Sequence, residues 1–194
     1  MKLAEVLKLA AIPADATLIR FPADEVRTRV MADPWIAEVT VHRRFPDTVE
    51  LDVVERKPVA LLDATKALWL VDTGGWVLAK QSAAASSTLP SIHQVEGVKP
   101  KVGGMLSARA LSNALAVLGG ITPQFRAQVR IVNAPSVDGT ALLTNDNVEV
   151  LVGPAQDIAK KEVVARKILG IQRGKVVFID VRTPDRPVSR GLGQ

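Results

Sequence analysis

One stretch decides the fold of the N-terminal part of the chain. It reads Asp33-Pro34-Trp35-Ile36-Ala37-Glu38-Val39-Thr40-Val41-His42-Arg43-Arg44-Phe45-Pro46-Asp47-Thr48-Val49-Glu50-Leu51-Asp52-Val53. Apolar and polar side chains alternate from Ala37 to His42 and again from Val49 to Val53, which is the period of a strand with one buried face. Residues 43–47 between the two segments predict a turn. The stretch therefore predicts an antiparallel hairpin.

Two short helices are predicted before this hairpin. Residues 3–12 place apolar side chains near one helical face. The segment Ala23–Met31 carries Asp24 and Glu25 in its first turn, where the helix dipole favours acidic groups. Two helices followed by two strands form an α+β module whose sheet needs one more strand. That strand would precede Met1, so we expect an incomplete module that lacks its first strand, in a truncated chain.

Residues after Pro58 carry mostly strand patterns. The run Asp72-Thr73-Gly74-Gly75 predicts a hairpin turn, and apolar stripes predict helices near residues 106–118 and 153–169. The last strand is expected at Arg186–Arg190. We therefore expect an α+β fold with a first domain over residues 1–56, a β-rich domain with an antiparallel sheet and flanking helices over 57–190, and a disordered tail over 191–194.

The composition excludes several classes of protein. The chain has 194 residues, of which 47% are apolar and 23% charged, enough to build a buried core. It has no cysteine and two histidines, which excludes disulfides, thiol nucleophiles and cysteine-based metal sites. No apolar run approaches the length of a membrane span, and no signal-peptide pattern is visible.

Candidate catalytic residues are few. His42 and His93 are each a candidate general base, but neither neighbours a Gly-x-Ser-x-Gly motif, and solvated surface histidines are the favoured interpretation. The sequence contains no His-Glu-x-x-His helix, phosphate-binding loop or dinucleotide fingerprint. We therefore predict no enzyme, no catalytic residue, no metal site and no cofactor.

The net charge of +5 raises the question of an anionic partner. Basic residues are spread along the chain, aromatic residues make up only 4%, and tyrosine is absent, so platforms for base stacking are scarce. A solvated helix face is favoured over a nucleic-acid footprint for the basic residues of 160–175. No nucleic-acid partner is expected, and weak attraction to anionic lipid headgroups or wall polymers stays open.

The hairpin stretch, with Val54-Glu55-Arg56-Lys57-Pro58 after it, resembles the POTRA module of the bacterial cell-division family FtsQ/DivIB. The shared pattern is a Pro-Trp entry, an alternating strand, an Arg-x-Phe-Pro-Asp turn and a strand that ends in Glu-Arg-x-Pro. Later segments are similar to the β-rich second domain of that family, namely Trp69-Leu70-Val71-Asp72, Gly75-Trp76-Val77-Leu78, Leu89-Pro90 and Phe178-Ile179-Asp180-Val181-Arg182. The resemblance covers nearly the whole chain.

This resemblance implies a scaffold rather than a catalyst. Proteins of the family join the division machinery at the septum, bind FtsB and FtsL (DivIC and FtsL in the Gram-positive naming) and help regulate septal peptidoglycan synthesis. They are single-pass proteins of the cell membrane. The present chain would be the extracytoplasmic part, with the transmembrane helix outside it.

The resemblance also implies two sets of site residues. Recruitment to the division site depends on the POTRA hairpin in the family, at positions that match Val41, Arg43 and Glu55. The FtsB/DivIC-type contact uses the terminal strand of the β domain and the residues beside it, which here match Arg182, Arg186, Pro187, Val188, Ser189 and Arg190.

A last strand that nothing follows is an edge, and its free N–H and C=O groups can pair with another chain. Three or four such bonds, at a net ~0.5–1.5 kcal/mol each, give only a few kcal/mol. Charged contacts from Arg182, Arg186 or Arg190 to an acidic partner would then supply selectivity. Proline has no N–H, and we hypothesise that Pro187 directs its missing donor toward the partner side while Ser189 still bonds.

Two other classes stay open at this point. A secretion or outer-membrane assembly component with a POTRA domain would bind substrate strands, and tandem POTRA modules or a C-terminal barrel would favour it. A wall-modifying enzyme would require a clustered nucleophile and base.

Overall fold

The structure is a computed structural model that describes residues 3–12, 17–81 and 88–191. The chain divides into two units, Met1–Lys57 and Pro58–Gln194. The described N-terminal elements are helix α1 (Leu3–Ala10), a 3₁₀ turn (Leu18–Arg20), helix α2 (Ala23–Met31) and strands β1 (Ile36–Arg44) and β2 (Thr48–Glu55).

The predicted hairpin is the sheet of this first unit. Strands β1 and β2 pair antiparallel, with Val41 opposite Leu51 and Arg44 opposite Thr48. Within the described residues this sheet has two strands. One face packs on the helices, where the buried core consists of Ala10, Phe21, Val26, Val30, Ile36 and Val39.

The second unit contains nine described strands and three helices. The strands are β3 (Ala60–Ala64), β4 (Ala67–Val71), β5 (Val77–Gln81), β6 (Ser91–His93), β7 (Val129–Asn133), β8 (Ala141–Thr144), β9 (Glu149–Leu151), β10 (Val176–Asp180) and β11 (Val188–Gly191). The helices are α3 (Arg109–Gly120), α4 (Pro123–Arg126) and α5 (Ile158–Ile171). The strands form one sheet in the order β11-β10-β9-β8-β7-β6-β3-β4-β5. The expected fold class, an α+β chain with a β-rich second domain, is confirmed.

The sheet is mixed rather than purely antiparallel. Strand β6 runs parallel to both β3 and β7, and β9 runs parallel to β10. Parallel neighbours need a crossover connection, and the chain supplies α3 and α4 between β6 and β7, and α5 between β9 and β10. His93, expected on a solvated surface, is half-buried as the last residue of the inner strand β6.

The core of the second unit lies on the face of the sheet that carries the helices. Leu62, Ile92, Val132, Leu142 and Ile179 come from five strands and are completely buried. They belong to one cluster with residues of the helices, namely Leu111, Leu115 and Leu118 of α3 and Ala165 of α5. Because side chains alternate along a strand, the neighbouring positions point to the opposite face.

A half-buried amide ties helix α3 to two loops. The Asn113 Nδ2 donates to the hydroxyl of Thr140 at 2.8 Å and to the carbonyl of Gly153 at 3.0 Å, and its Oδ1 accepts from the N–H of Ala155 at 2.9 Å. Thr140 directly precedes β8, and residues 153–155 connect β9 to α5. Asn113 therefore holds together the loops at one end of the sheet.

Helix α5 also carries two buried charges, Lys161 and Glu162, so the prediction of a solvated face is wrong at these two residues. Lys161 is only 3% exposed, and its ammonium donates to the carbonyls of Val152 at 2.9 Å and Pro154 at 2.6 Å. Burial lowers the pKa of this ammonium. Glu162 accepts from the backbone N–H of Thr122 at 2.7 Å. Both side chains fasten α5 to the segments beside it.

Candidate partner-binding edge

Strand β11 forms one border of the nine-stranded sheet. It pairs antiparallel with β10, with Arg190 opposite Phe178, Ser189 opposite Ile179 and Val188 opposite Asp180. Over the described part of the chain, β10 is its only strand partner. The outer side of β11 is therefore an open border.

The register shows which backbone groups point outward. The N–H of Val181 donates to the carbonyl of Leu151 in β9 at 3.0 Å. Backbone groups of successive residues point to alternate sides of a strand, so Asp180 points its N–H and C=O away from β9, toward β11. The backbone N–H and C=O of Val188, the partner of Asp180, therefore point toward β10. Those of the next residue, Ser189, point outward, away from the sheet.

Pro187 lies directly before β11 and has no backbone N–H. Ser189 is the first residue of β11 whose backbone donor and acceptor both point outward.

The opposite border of the sheet is partly covered. The N–H of Val77, the first residue of β5, donates to the carbonyl of Gly104 at 2.9 Å, and the N–H of Gly103 donates to the carbonyl of Val77 at 2.9 Å. The N–H of Leu106 further donates to Gly75 at 2.9 Å. Covering an edge in this way blocks strand addition, so the two borders differ in how readily a second chain can pair.

Side chains hold β11 from both faces of the sheet. On the helix face, the amide of Gln172 donates to the Ser189 hydroxyl at 3.3 Å. On the other face, the guanidinium of Arg190 lies 5.2 Å from the ring centre of Phe178, a cation–π contact. Val188 is 60% exposed. The strand is thus held in place while its outer backbone and one apolar side chain stay accessible.

Arg182 is fixed beside the end of β10. Its guanidinium contacts the Asp180 carboxylate at 2.7 Å, and its backbone N–H donates to the same side chain at 3.0 Å. These bonds lower the pKa of Asp180. A Cβ added at Gly153 would lie 2.9 Å from the Arg182 Cγ, so glycine leaves room for the arginine stem. Gly153 also has φ of 61°, which favours glycine.

Replacement of Arg182 by glutamine is expected to raise the pKa of Asp180 toward its ordinary value. The side-chain hydrogen bond from Arg182 is the largest cause of the lowered pKa. A carboxylate with a lowered folded-state pKa stabilises the fold above its unfolded pKa, and this contribution is lost as pH falls through the folded pKa. Carbon-detected NMR titration of Asp180 measures the shift. An unchanged midpoint in Arg182→Gln would contradict the pairing, and Arg186→Gln is the matched control.

The terminal strand is shorter than expected. Arg186 lies in the turn before it, where its backbone N–H donates to the carbonyl of Thr183 at 3.0 Å. The strand begins at Val188 rather than Arg186, because this turn and Pro187 intervene. Gly191, assigned to a tail by the sequence, is the last residue of β11 and pairs with Val176. The remaining tail residues 192–194 lie outside the described part of the chain.

The three hairpin residues in the first unit do not form one cluster. Val41 is half-buried against the helices, and Arg43, two residues on, donates to the carbonyl of Phe21 at 2.9 Å. Glu55 lies at the far end of β2, opposite Ile36. Val41 and Arg43 thus fasten the hairpin to the helices, whereas Glu55 is at the other end of the hairpin.

The sequence did not indicate that His93 lies in a cluster with Ser91 and Asp63. Its Nε2 lies 2.9 Å from the Ser91 hydroxyl and its Nδ1 lies 3.3 Å from the Asp63 carboxylate. A Ser-His-Asp catalytic triad also needs N–H donors that stabilise the negatively charged oxygen of the reaction intermediate. Strand β6 lies between β3 and β7, so its backbone groups are engaged in the sheet. Ser91 therefore lacks those donors on its own strand.

Two features are absent from the described residues. No helix among them is long and apolar enough to cross a membrane. No group of three or more His, Cys, Asp or Glu side chains in residues 3–12, 17–81 and 88–191 is placed to hold a metal ion.

Comparison with known proteins identifies the class. The model of the POTRA domain, FtsQ-type, matches residues 1–56, so the first unit is a POTRA domain followed by a sheet-based second domain. The model of the cell division protein FtsQ/DivIB C-terminal region matches residues 60–182. This chain belongs to the FtsQ/DivIB family of bacterial cell-division proteins. The second match favours this family over the secretion components that the sequence left open.

Several curated relatives align over almost the whole chain. The cell division protein FtsQ of Anaeromyxobacter sp. is 28% identical over 98% of this chain and 67% of its own length. FtsQ of Streptomyces venezuelae is 28% identical over 96% and 69%, and DivIB of Clostridium tetani is 22% identical over 97% and 74%. The solved extracytoplasmic domain of Geobacillus stearothermophilus DivIB covers 62% of this chain with a TM-score of 0.43 at 15% identity.

Proposed function

We propose that this protein is a non-enzymatic scaffold of the bacterial division machinery. It links division proteins of the FtsB/DivIC and FtsL type through protein–protein contacts at the septum and so helps regulate septal peptidoglycan synthesis. The observation that carries the proposal is the open outer border of β11, with the backbone of Ser189 directed away from the sheet. A partner strand would extend the sheet by β-augmentation.

The side chains beside β11 support different tasks in this contact. Arg182 is already engaged by Asp180, so its task is to hold the turn between β10 and β11. The side chain of Arg186 makes no ion pair within the described residues, and the guanidinium of Arg190 lies over the ring of Phe178. Arg186 and Arg190 are therefore the cations that would meet acidic groups of the partner, while Val188 would meet an apolar one.

The hairpin of the POTRA domain is the second part of the proposal. Val41, Arg43 and Glu55 are proposed to serve recruitment to the division site. The contact of Arg43 with Phe21 supports an indirect task, because it holds the hairpin on the helices. Membrane attachment is proposed to come from a single transmembrane helix outside this chain, which places the present residues on the extracytoplasmic side.

Removal of residues 186–194 is expected to abolish capture of the partner. The test is a pull-down with the extracytoplasmic part of an FtsB/DivIC-type protein, comparing the intact chain with the shortened one. The shortened chain keeps β10, so circular dichroism and a urea transition of the second unit serve as the folding control. Equal capture by both chains would overturn the strand-addition proposal.

A further inference from the structure

The outer face of helix α5 combines cations with exposed apolar side chains. Val163 is 68% exposed and Ile171 is 73% exposed. The core does not use them, since α5 packs inward through other residues, namely Ile158, Val164, Ala165, Ile168 and Leu169. Single exposed apolar side chains are common on protein surfaces, so their meaning depends on the groups beside them.

Cations surround these two side chains with little to neutralise them. Arg166 lies 3.5 Å from Glu162, but that carboxylate is buried and already accepts the backbone N–H of Thr122. Lys167, Arg173 and Lys175 make no ion pair within the part of the chain that the structure describes. The α5 basic face is defined here by Val163, Arg166, Lys167, Ile171, Arg173 and Lys175.

A second acid beside these cations is Asp146. It lines the same cleft of about 720 Å³ as Arg166 and Arg173, between the end of α5 and the turn that joins β8 to β9. The α5 basic face thus has four cations, with Glu162 and Asp146 as the acids described beside it. The positive charge of the α5 basic face is not cancelled, and its complement is an anionic surface.

We propose that the α5 basic face binds the anionic phospholipid headgroups of a membrane surface. At a lipid interface, lysine and arginine attract the anionic headgroups while neighbouring apolar side chains enter the apolar layer below them. Val163 and Ile171 are eight residues apart, roughly 12 Å along the helix. A lipid surface can accommodate both side chains while its headgroups meet the cations beside them.

This face lies next to the proposed partner-binding edge. Gln172, directly after α5, donates to Ser189 of β11. Lipid binding would therefore hold the open border of the sheet close to the membrane surface. The proposal does not depend on strand addition, because α5 and β11 present different residues.

Flotation with phospholipid vesicles tests the proposal on the intact chain. The chain is expected to float with phosphatidylglycerol vesicles at low salt and to stay in solution with phosphatidylcholine vesicles. Each cation near an anionic surface contributes about 1 kcal/mol, or roughly fivefold in the partition constant. Lys167→Glu with Arg173→Glu is therefore expected to reduce the partition constant by at least about 25-fold, because the added carboxylates are also repelled by the anionic surface.

Two controls make the outcome specific. Lys66→Glu with Arg109→Glu changes the net charge equally on other exposed positions, and it is expected to have a much smaller effect. Ile171→Ser is expected to reduce the partition constant about tenfold because it removes an apolar side chain that lipid binding would take out of water. Equal losses from the two charge pairs, or no effect of Ile171→Ser, would overturn the proposal. Ser189→Pro is expected to leave flotation unchanged, which separates this result from failure of strand addition.

Discussion

Ser189→Pro is expected to raise the dissociation constant for an FtsB/DivIC-type partner by about tenfold or more. The substitution removes the outward N–H of β11, and a net hydrogen bond is worth about 1 kcal/mol. The proline ring also occupies the space that an added strand needs. Val188 and Arg190 keep their bonds to β10, and proline is tolerated on edge strands, so the fold is expected to persist. Surface plasmon resonance with the partner's extracytoplasmic part measures the loss.

Ser189→Ala is the matched control for this change. It removes the hydroxyl that Gln172 contacts but keeps the backbone N–H. The dissociation constant of this variant for the partner is expected to lie within about twofold of the value for the unmodified chain. If Ser189→Ala lost capture as fully as Ser189→Pro, the hydroxyl rather than the backbone would carry the contact.

Asn113→Ala is expected to destabilise the second unit by about 3 kcal/mol. It leaves the Gly153 carbonyl and the Ala155 N–H without the amide, and each buried polar group left unpaired costs about 1–3 kcal/mol. The Thr140 hydroxyl keeps its bond to the Ser136 carbonyl. Urea unfolding followed by tryptophan fluorescence measures the change, because Trp69 and Trp76 belong to this unit.

Ser112→Ala provides the comparison for Asn113→Ala. Ser112 is the preceding residue of α3 and is exposed, so its replacement is expected to change stability by less than about 0.5 kcal/mol. A loss below about 1 kcal/mol in Asn113→Ala would show that water replaces the amide in its contacts.

The first unit was largely predictable from the sequence. Helix α2 spans the expected residues Ala23–Met31, and the hairpin pairs as expected. Both predictions succeed because each element has one buried face, so its period is visible in the sequence.

The order of the large sheet was not predictable. Strands β3 and β6 lie inside it, and β6 has only three residues, Ser91–His93. Inner strands lack a clear alternation of apolar and polar residues, and so short a run has no readable period. The parallel pairing of β6 with β3 and β7 depends on crossovers that no local pattern specifies.

The candidate site was predictable in part. The sequence placed a terminal strand near residue 190, and the structure has one at Val188–Gly191. The outward direction of Ser189 could not be predicted, because it depends on the register of β10 with both neighbours. Arg182 and Asp180 are two residues apart in the sequence. Their contact could still not be predicted, because it depends on the bend of the chain after β10. The separation of Glu55 from Val41 and Arg43 likewise follows from the hairpin register.

Amide hydrogen exchange at β11 tests strand addition most directly. With residue-resolved NMR, the N–H of Ser189 is expected to exchange rapidly in the free chain, whereas Val188 and Arg190 are protected by β10. Addition of the partner's extracytoplasmic part is expected to slow exchange at Ser189 by at least about tenfold. Capture of the partner without added protection of the Ser189 amide would contradict the account.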